Sequence, residues 1–436
     1  MAEKVRRTRK AIDQFGEPVA GNGLLHRRAF LAGGAAFAGA AGLAGEHAVA
    51  AGNPIGTTAL PSQLTPGKPF SAYGMPAPSV EFIKRIFTLT PGREGTGSSR
   101  TPHQFLNGSI TPSGLHFERH HNGVPEIDAA NHKLLIHGLV QKPLMFTLDT
   151  LMRYPMVTVT RFVECAGNSG GVSGAQANPA STVGDLHGLV SCSEWTGVPV
   201  ATLLDEAGVQ KGGTWTLAEG ADAASLSRSI PMDKMMDDAI IALYQNGEPV
   251  RPEQGFPMRL LVPGFQGNLN IKWLRRIKVT DIATMTRDET SKYTELMPDG
   301  KSRQFLLEHG VKSIITRPST GINLQGAGLY EISGLAWSGA GRVTKVEVSA
   351  DAGRTWAEAA LTGPVSPKAL TRFRMPWKWS GQPAILTSRA TDEKGSVQPG
   401  RNQWLAQYAQ GQAYMYNGSQ AWGVAASGET GNVFIA

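Results

Sequence analysis

Fifty-two glycines and 27 prolines interrupt this 436-residue chain. Breakers at that density point away from a helical bundle and toward short strands joined by many loops. The length exceeds what one compact core can organise and implies two or three domains. Hydrophobic residues make up 41% and charged residues 18%, the balance of a globular protein and not of a disordered one. Two cysteines are too few for a disulfide-stapled fold or a four-thiolate cluster. No apolar run reaches the roughly 20 residues that cross a bilayer, so no membrane span is expected. The net charge of +7 is partly local: residues 1–50 hold seven Lys/Arg against four Asp/Glu, leaving 35 basic and 31 acidic residues without blocks. That balance gives no footing for a nucleic-acid partner.

The first 50 residues read as a targeting segment. A basic start (Lys4, Arg6, Arg7, Arg9, Lys10) leads to Arg27-Arg28-Ala29-Phe30-Leu31, a weakly apolar Ala/Gly stretch and Ala48-Val49-Ala50. This is the pattern of a twin-arginine export signal with a small-residue cleavage site. A buried Gly/Ala helix is the competing reading, but its four internal glycines would cost about 1 kcal/mol each. The twin-arginine route carries folded proteins, so the mature chain is expected to begin near Ala51 in a bacterial periplasm.

Residues 51–115, rich in Pro, Gly and Ser, read as an extended segment draped over the rest. Residues 116–290 alternate short strand-like and helix-like runs. Leu134–Gly138, Val157–Val163, Arg259–Val262 and Ile277–Val279 have strand character, and Val200–Ala207 forms a helix with Leu203 and Leu204 inward and Gly208 as its stop. This is an α+β pattern. Over 311–408 the runs Val343–Ser349, Thr371–Trp379 and Ala384–Ala390 recur at the spacing of a β-sandwich, with a turn at Asp351-Ala352-Gly353. A Gly/Asn/Ser-rich tail, 409–436, is expected to pack on a neighbour or to be loose.

Cys165 follows a strand and precedes a Gly-rich stretch, where a thiolate can face a ligand approached by backbone; a disulfide to Cys192 is the equal alternative. Clustered histidines (103, 116, 120, 121, 132, 137) fit no common zinc spacing. No Cys-x-x-Cys-His attaches haem, and neither a Gly-x-Gly-x-x-Gly nor a P-loop supports a nucleotide. Arg259 and Lys272, among strands and Gly turns, suit a phosphate, with solvated charge at strand ends as the plainer account.

Four ordered segments together resemble the sulfite oxidase family of molybdenum enzymes, from about His116 to Gln398. They are Cys165-Ala166-Gly167-Asn168, Arg119-His120-His121-Asn122-Gly123-Val124-Pro125, the stretch from Tyr244–Pro249 through Trp273-Leu274, and Ile332–Gly339 with Val346–Trp356. The resemblance implies a mixed α/β molybdopterin-binding domain followed by an immunoglobulin-like dimerisation domain. It implies Cys165 as the thiolate on molybdenum, Arg119, His120 and His121 along the metal and pterin, and Asp222 on the pterin ring. Gln254, Arg259, Asn270, Ile271 and Lys272 are implied at the pterin phosphate. Arg119 is also implied as the catalytic cation for an anionic substrate.

Departures from the family bear on substrate. Ser169-Gly170 stand where Arg-Arg usually follows Cys-Ala-Gly-Asn, Leu226 stands where an active-site Tyr precedes Ser-Ile-Pro, and Met415–Gly418 stand where a late Arg is usual. Losing these cations and a phenol opens the site and loosens its grip on a small dianion. That resembles the branch of the family that oxidises sulfane sulfur held on a partner protein. The expectation is therefore a periplasmic dehydrogenase working by oxygen transfer from molybdenum, with a sulfur-carrier protein as substrate. A separate c-type cytochrome would take the electrons, since the chain holds no haem, and a homodimer would sit within a hetero-oligomer. A free-sulfite dehydrogenase, an oxyanion or sulfoxide reductase, and a non-catalytic secreted binding module are the alternatives.

Overall fold

The computed structural model of the protein describes residues 18–27, 66–408 and 414–435. Of the expected export signal, residues 18–27 are described; the rest, Arg28 and the Ala/Gly stretch included, lies outside the described residues. No described helix is long and apolar enough to cross a membrane.

The first half is built on two sheets that share a core. One runs in the order Leu144–Thr147, Lys133–Gly138, Leu274–Thr280, Trp215–Gly220, Ser227–Pro231, and is mixed because Leu274–Thr280 lies parallel to Lys133–Gly138. The other runs Glu248–Pro249, Ile240–Gln245, Val190–Pro199, Val157–Glu164, with Arg259–Leu261 also paired to Ile240–Gln245. Inward residues of both, among them Ile136, Ile277, Val198 and Ile241, meet around the helix Val200–Ala207. That helix forms because Val200, Leu203, Leu204 and Ala207 recur at 3.6-residue spacing and are all fully buried. It stops at Gly208, whose left-handed φ of 69° lets its N–H reach the carbonyl of Leu204. Burying its two leucines stabilises this half by roughly 1.5–3 kcal/mol each.

The second half is a sandwich of a four-stranded sheet (Lys312–Arg317, Gly328–Trp337, Thr371–Trp379, Ala360–Thr362) and a five-stranded one. The latter runs Ala357–Glu358, Val343–Ser349, Ala384–Asp392, Ala421–Val424, Thr430–Val433. Strict alternation would send Val343 and Val346 to opposite faces. A register shift between Val343 and Lys345 turns both inward, so Val343, Val346 and Val348 all join the core. The mixed α/β half followed by an immunoglobulin-like sandwich is the architecture expected from the sequence.

Two details correct the sequence reading. The segment before 115 is not merely draped: Ile86–Leu89 and Gly97–Arg100 form a three-stranded sheet with Glu118–His120, and so hold Arg119 in register opposite Ser98. Nor is the described tail loose, because Ala421–Val424 and Thr430–Val433 complete the sandwich and Trp422 is fully buried. Ahead of Arg27, Leu24 is buried against the sandwich, where the Trp377 indole donates to the carbonyl of Asn22 at 2.6 Å.

Two buried histidines make stability depend on pH. The rings of His103 and His116 lie on the carbonyls of Val190 and Phe117 at 2.9 and 3.1 Å. Burial, chiefly, pushes their pKa values down to about 4 and about 3. The unfolded chain accepts these protons from about pH 6.5 downward while the native fold refuses them, so stability present above 6.5 is lost as pH falls. The thermal midpoint is expected to drop between pH 7 and 5, each histidine costing up to about 1.4 kcal/mol per pH unit. A midpoint flat across that interval would contradict this.

Candidate active site

Cys165 emerges at the end of Val157–Glu164, a strand paired along its whole length with Val190–Pro199. Asn168 shapes the turn that follows. Its side chain accepts from the N–H of Leu189 at 3.1 Å and donates to Glu164 at 2.9 Å, tying the turn to both strands. Gly267 lets a second loop press against this turn, since a Cβ there would meet the Glu164 carbonyl at 2.7 Å. Burial pushes the Cys165 thiol pKa up, while the N–H of Gly167 and the charge of Arg119 pull it back. Glu164, one residue earlier, is fully inside the protein, where it accepts from Lys312, Asn168 and the Trp337 indole at 2.9, 2.9 and 2.7 Å and lies 3.3 Å from His309.

The disulfide alternative fails on geometry. Both cysteines are free. Cys192 pairs in register with Phe162, three residues before Cys165. At a strand rise of about 3.3 Å per residue the two lie farther apart than the ~7 Å a disulfide tolerates.

All ten residues singled out in the sequence surround one cleft of about 710 Å³, open solvent at its mouth included: Arg119, His120, His121, Cys165, Asp222, Gln254, Arg259, Asn270, Ile271 and Lys272. Arg259 is 3% exposed, stacks over Trp195, and donates to the carbonyls of Gln254 and Asn270 at 3.1 Å each. Its Nε has no partner, and burial alone pushes its pKa down to about 9. Lys272 donates to the carbonyl of Glu253 at 3.1 Å and to His120 Nδ1 at 2.9 Å. His120 is therefore neutral, with its Nε2–H donating to Glu118 at 2.8 Å; burial, then Lys272, pushes its pKa down to about 3. His121 is pushed down to about 4 by burial and Arg119. Asn270 and Ile271 contribute wall more than ligand groups. The Asn270 amide is engaged with the N–H of Val262 and the carbonyl of Gln266, and Ile271 is packed in the core.

Arg259, buried without a carboxylate partner among the described residues and with an orphaned N–H, and Lys272, whose pKa burial and Arg259 push well down, fit an anionic group such as a phosphate that would favour their charged forms. A soft thiol across the same cleft fits a metal held by sulfur. The donor set therefore suits a phosphate-bearing metallopterin, with Arg259 and Lys272 toward its phosphate and Cys165 toward its metal. Arg259→Met separates this use from a structural one. Removing the buried charge offsets the loss of its hydrogen bonds to the Gln254 and Asn270 carbonyls, so the cofactor-free fold is expected to change by less than about 3 kcal/mol, while pterin bound per chain falls at least about tenfold. Lower stability with undiminished pterin would show that the cation serves the fold.

Several lining residues were not singled out in the sequence. Asn268 and Trp273 join the cleft from the stretch that ends at Trp273-Leu274, and Tyr293 joins it from a loop with no motif of its own. Leu226 lines it with an apolar wall. Ser169 does not line it, because its hydroxyl faces Lys312 at 2.7 Å and His187 at 2.6 Å.

Comparison with known proteins agrees with this geometry. The oxidoreductase molybdopterin binding domain matches residues 121–287, and the Mo-co oxidoreductase dimerisation domain matches 303–414. The solved sulfane dehydrogenase SoxCD from Paracoccus pantotrophus superposes with a TM-score of 0.85 at 44% identity, covering 88% of this chain and 100% of that one. Mitochondrial sulfite oxidase from Mus musculus is 31% identical over 68% of this chain and 59% of its own length. The NADH nitrate reductase of Solanum lycopersicum is 32% identical over 68% of this chain, which spans 37% of that longer protein. Fold and cleft together define a molybdopterin-binding oxidoreductase. The chain belongs to the sulfite oxidase family, and its cofactor is molybdenum held on molybdopterin.

Proposed function

We propose that the chain is the molybdenum-bearing part of a periplasmic dehydrogenase that oxidises sulfane sulfur carried on a cysteine of a partner protein. It passes the electrons to a separate c-type cytochrome. The observation that carries this reading is the likeness to a sulfane dehydrogenase across 88% of this chain and the whole of that one. The apolar Leu226 wall, at a position where the family usually has a phenol, supports it, because a thiol-borne sulfur suits an apolar surface there. The sequence carries no Cys-x-x-Cys-His for covalent haem, which supports a separate c-type cytochrome as the acceptor. The dimerisation domain supports a homodimer within that assembly, and the Arg27-Arg28 pattern supports export in folded form.

When bound, the cofactor supplies oxygen-atom transfer coupled to two-electron chemistry. The chain's own residues supply the setting. Cys165 fixes the metal in the cleft. Arg119, braced on the carbonyls of Gly97 and His120, presents a cation to an anionic substrate oxygen. His120 stays neutral and holds the Lys272 ammonium in place.

The test is steady-state turnover with a persulfide-loaded carrier peptide and with free sulfite, using a c-type cytochrome as acceptor. A clear preference for the carrier is expected. The free-sulfite reading rests on the likeness to sulfite oxidase, and a higher kcat/KM for free sulfite would favour it.

A further inference from the structure

We infer that the β-sandwich carries a peptide-binding groove whose occupant, before processing, is the chain's own segment 18–27, and that this clamp withholds Arg27 of the arginine pair until the segment lets go. This rests on the export reading of the Arg27-Arg28 pattern. The groove exists because one strand stops short. Ala360–Thr362 pairs with Thr371–Trp379 only from Arg372 to Arg374, which leaves the edge from Met375 onward to another partner. Leu24 and Leu25 take it. Leu24 bridges Trp377 in antiparallel fashion, and the N–H of Leu25 donates to the carbonyl of Pro376 at 3.1 Å. Leu24 joins the sandwich core, and Leu25 is buried as well.

The segment is shaped to this place. Left-handed φ values at Asn22 (55°) and Gly23 (85°) turn it back on itself, so that the N–H of Val19 donates to the Leu24 carbonyl at 2.8 Å. A Cβ on Gly23 would meet the Lys378 carbonyl at 2.0 Å, and one on Gly21 would meet the Asp351 carboxylate at 2.1 Å, so only glycine fits at either position. Between them the Asn22 amide donates to the Ala350 carbonyl at 2.8 Å, and the Gly21 N–H donates to the Thr355 hydroxyl at 2.6 Å. Pro376 and Lys378 belong to the four-stranded sheet, while Ala350 and Thr355 follow the strand Val343–Ser349 of the other. The clamp therefore closes only on a sandwich that has folded. At its far end Arg27 pairs with Glu358. Both side chains of that pair are 40% exposed or slightly more, so it adds little hold of its own. The buried leucines and the ladder supply the hold, and the ion pair occupies the guanidinium that recognition of an arginine pair needs.

The experiment compares the full-length precursor as wild type, Gly23→Ala and Leu24→Asp. Both positions lie ahead of the expected processing site, so neither change touches the mature chain. Two rates are measured: tryptic cleavage after Arg27 in the folded precursor, followed by mass spectrometry, and conversion of precursor to processed protein in cells. Gly23→Ala puts a methyl where the Lys378 carbonyl lies, and Leu24→Asp puts a charge in the core, so each is expected to free the segment. Both rates are then expected to rise about tenfold, because a segment free a tenth of the time is recognised tenfold more weakly. Faster cleavage together with faster processing carries the proposal. Cleavage within twofold of wild type in both variants would overturn it, and so would processing that is no faster once protection is lost. If neither wild type nor variants are processed, the export reading falls, and the cleavage comparison still judges whether the groove holds the segment.

Discussion

Replacing Lys312 by Met is expected to lower the unfolding free energy by about 3–5 kcal/mol, the range for stranding one member of a buried ion pair. Lys312 is 1% exposed and reaches Glu164 at 2.9 Å and Ser169 at 2.7 Å. Burial alone would raise the Glu164 pKa, but Lys312 and His309 outweigh it and hold the carboxyl below its usual range. Without the ammonium, an ionised carboxylate would be left in the interior with the Trp337 indole, Asn168 and His309 as its polar neighbours. The double change Glu164→Gln with Lys312→Met removes both charges and is expected to recover most of the loss. Urea unfolding of the cofactor-free forms measures both. If the single variant costs no more than a surface substitution, the pair is not what holds this region together. Because Glu164 precedes Cys165 directly, the single variant is also expected to expose the thiol to alkylation.

Cys165→Ser is expected to abolish turnover and reduce molybdenum to background while changing stability by less than about 1 kcal/mol. The side chain changes by one atom, and the turn around it is built from backbone and Asn168, not from the sulfur. A hydroxyl is a hard and poorly acidic ligand where a soft thiolate is needed. Metal analysis, turnover and a melting curve decide the matter together. Retained turnover would remove Cys165 from its assigned place, and loss of the fold would make the residue structural.

The parts of this protein that could be read from the chain are those where local pattern and tertiary burial agree. Val200–Ala207 shows a helical stripe and a glycine stop, and Val157–Val163 and Thr371–Trp379 show strand residues in strand-length runs. The cleft residues were legible through motifs, since the Cys165 and Arg119 segments carry their own local signals. The rest depends on distant encounters. The polar strand Gly97–Arg100 exists because Glu118–His120 offers it a ladder. Ala421–Val424 becomes a strand because Ala384–Asp392 has a free edge. Tyr293 has no motif, and its aim is set by Arg228 and Tyr414 from separate parts of the chain.

The contact between Glu164 and Lys312 also limits how this protein can be recombined. One charge belongs to the sheet that carries the cysteine and the other to the first strand of the sandwich. A chimera joining this catalytic half to a sandwich with an uncharged residue at position 312 would inherit a carboxylate without its countercharge, beside the residue assigned to hold the metal. The two halves are therefore not interchangeable modules. Exchange between relatives has to carry positions 164 and 312 as one heritable unit.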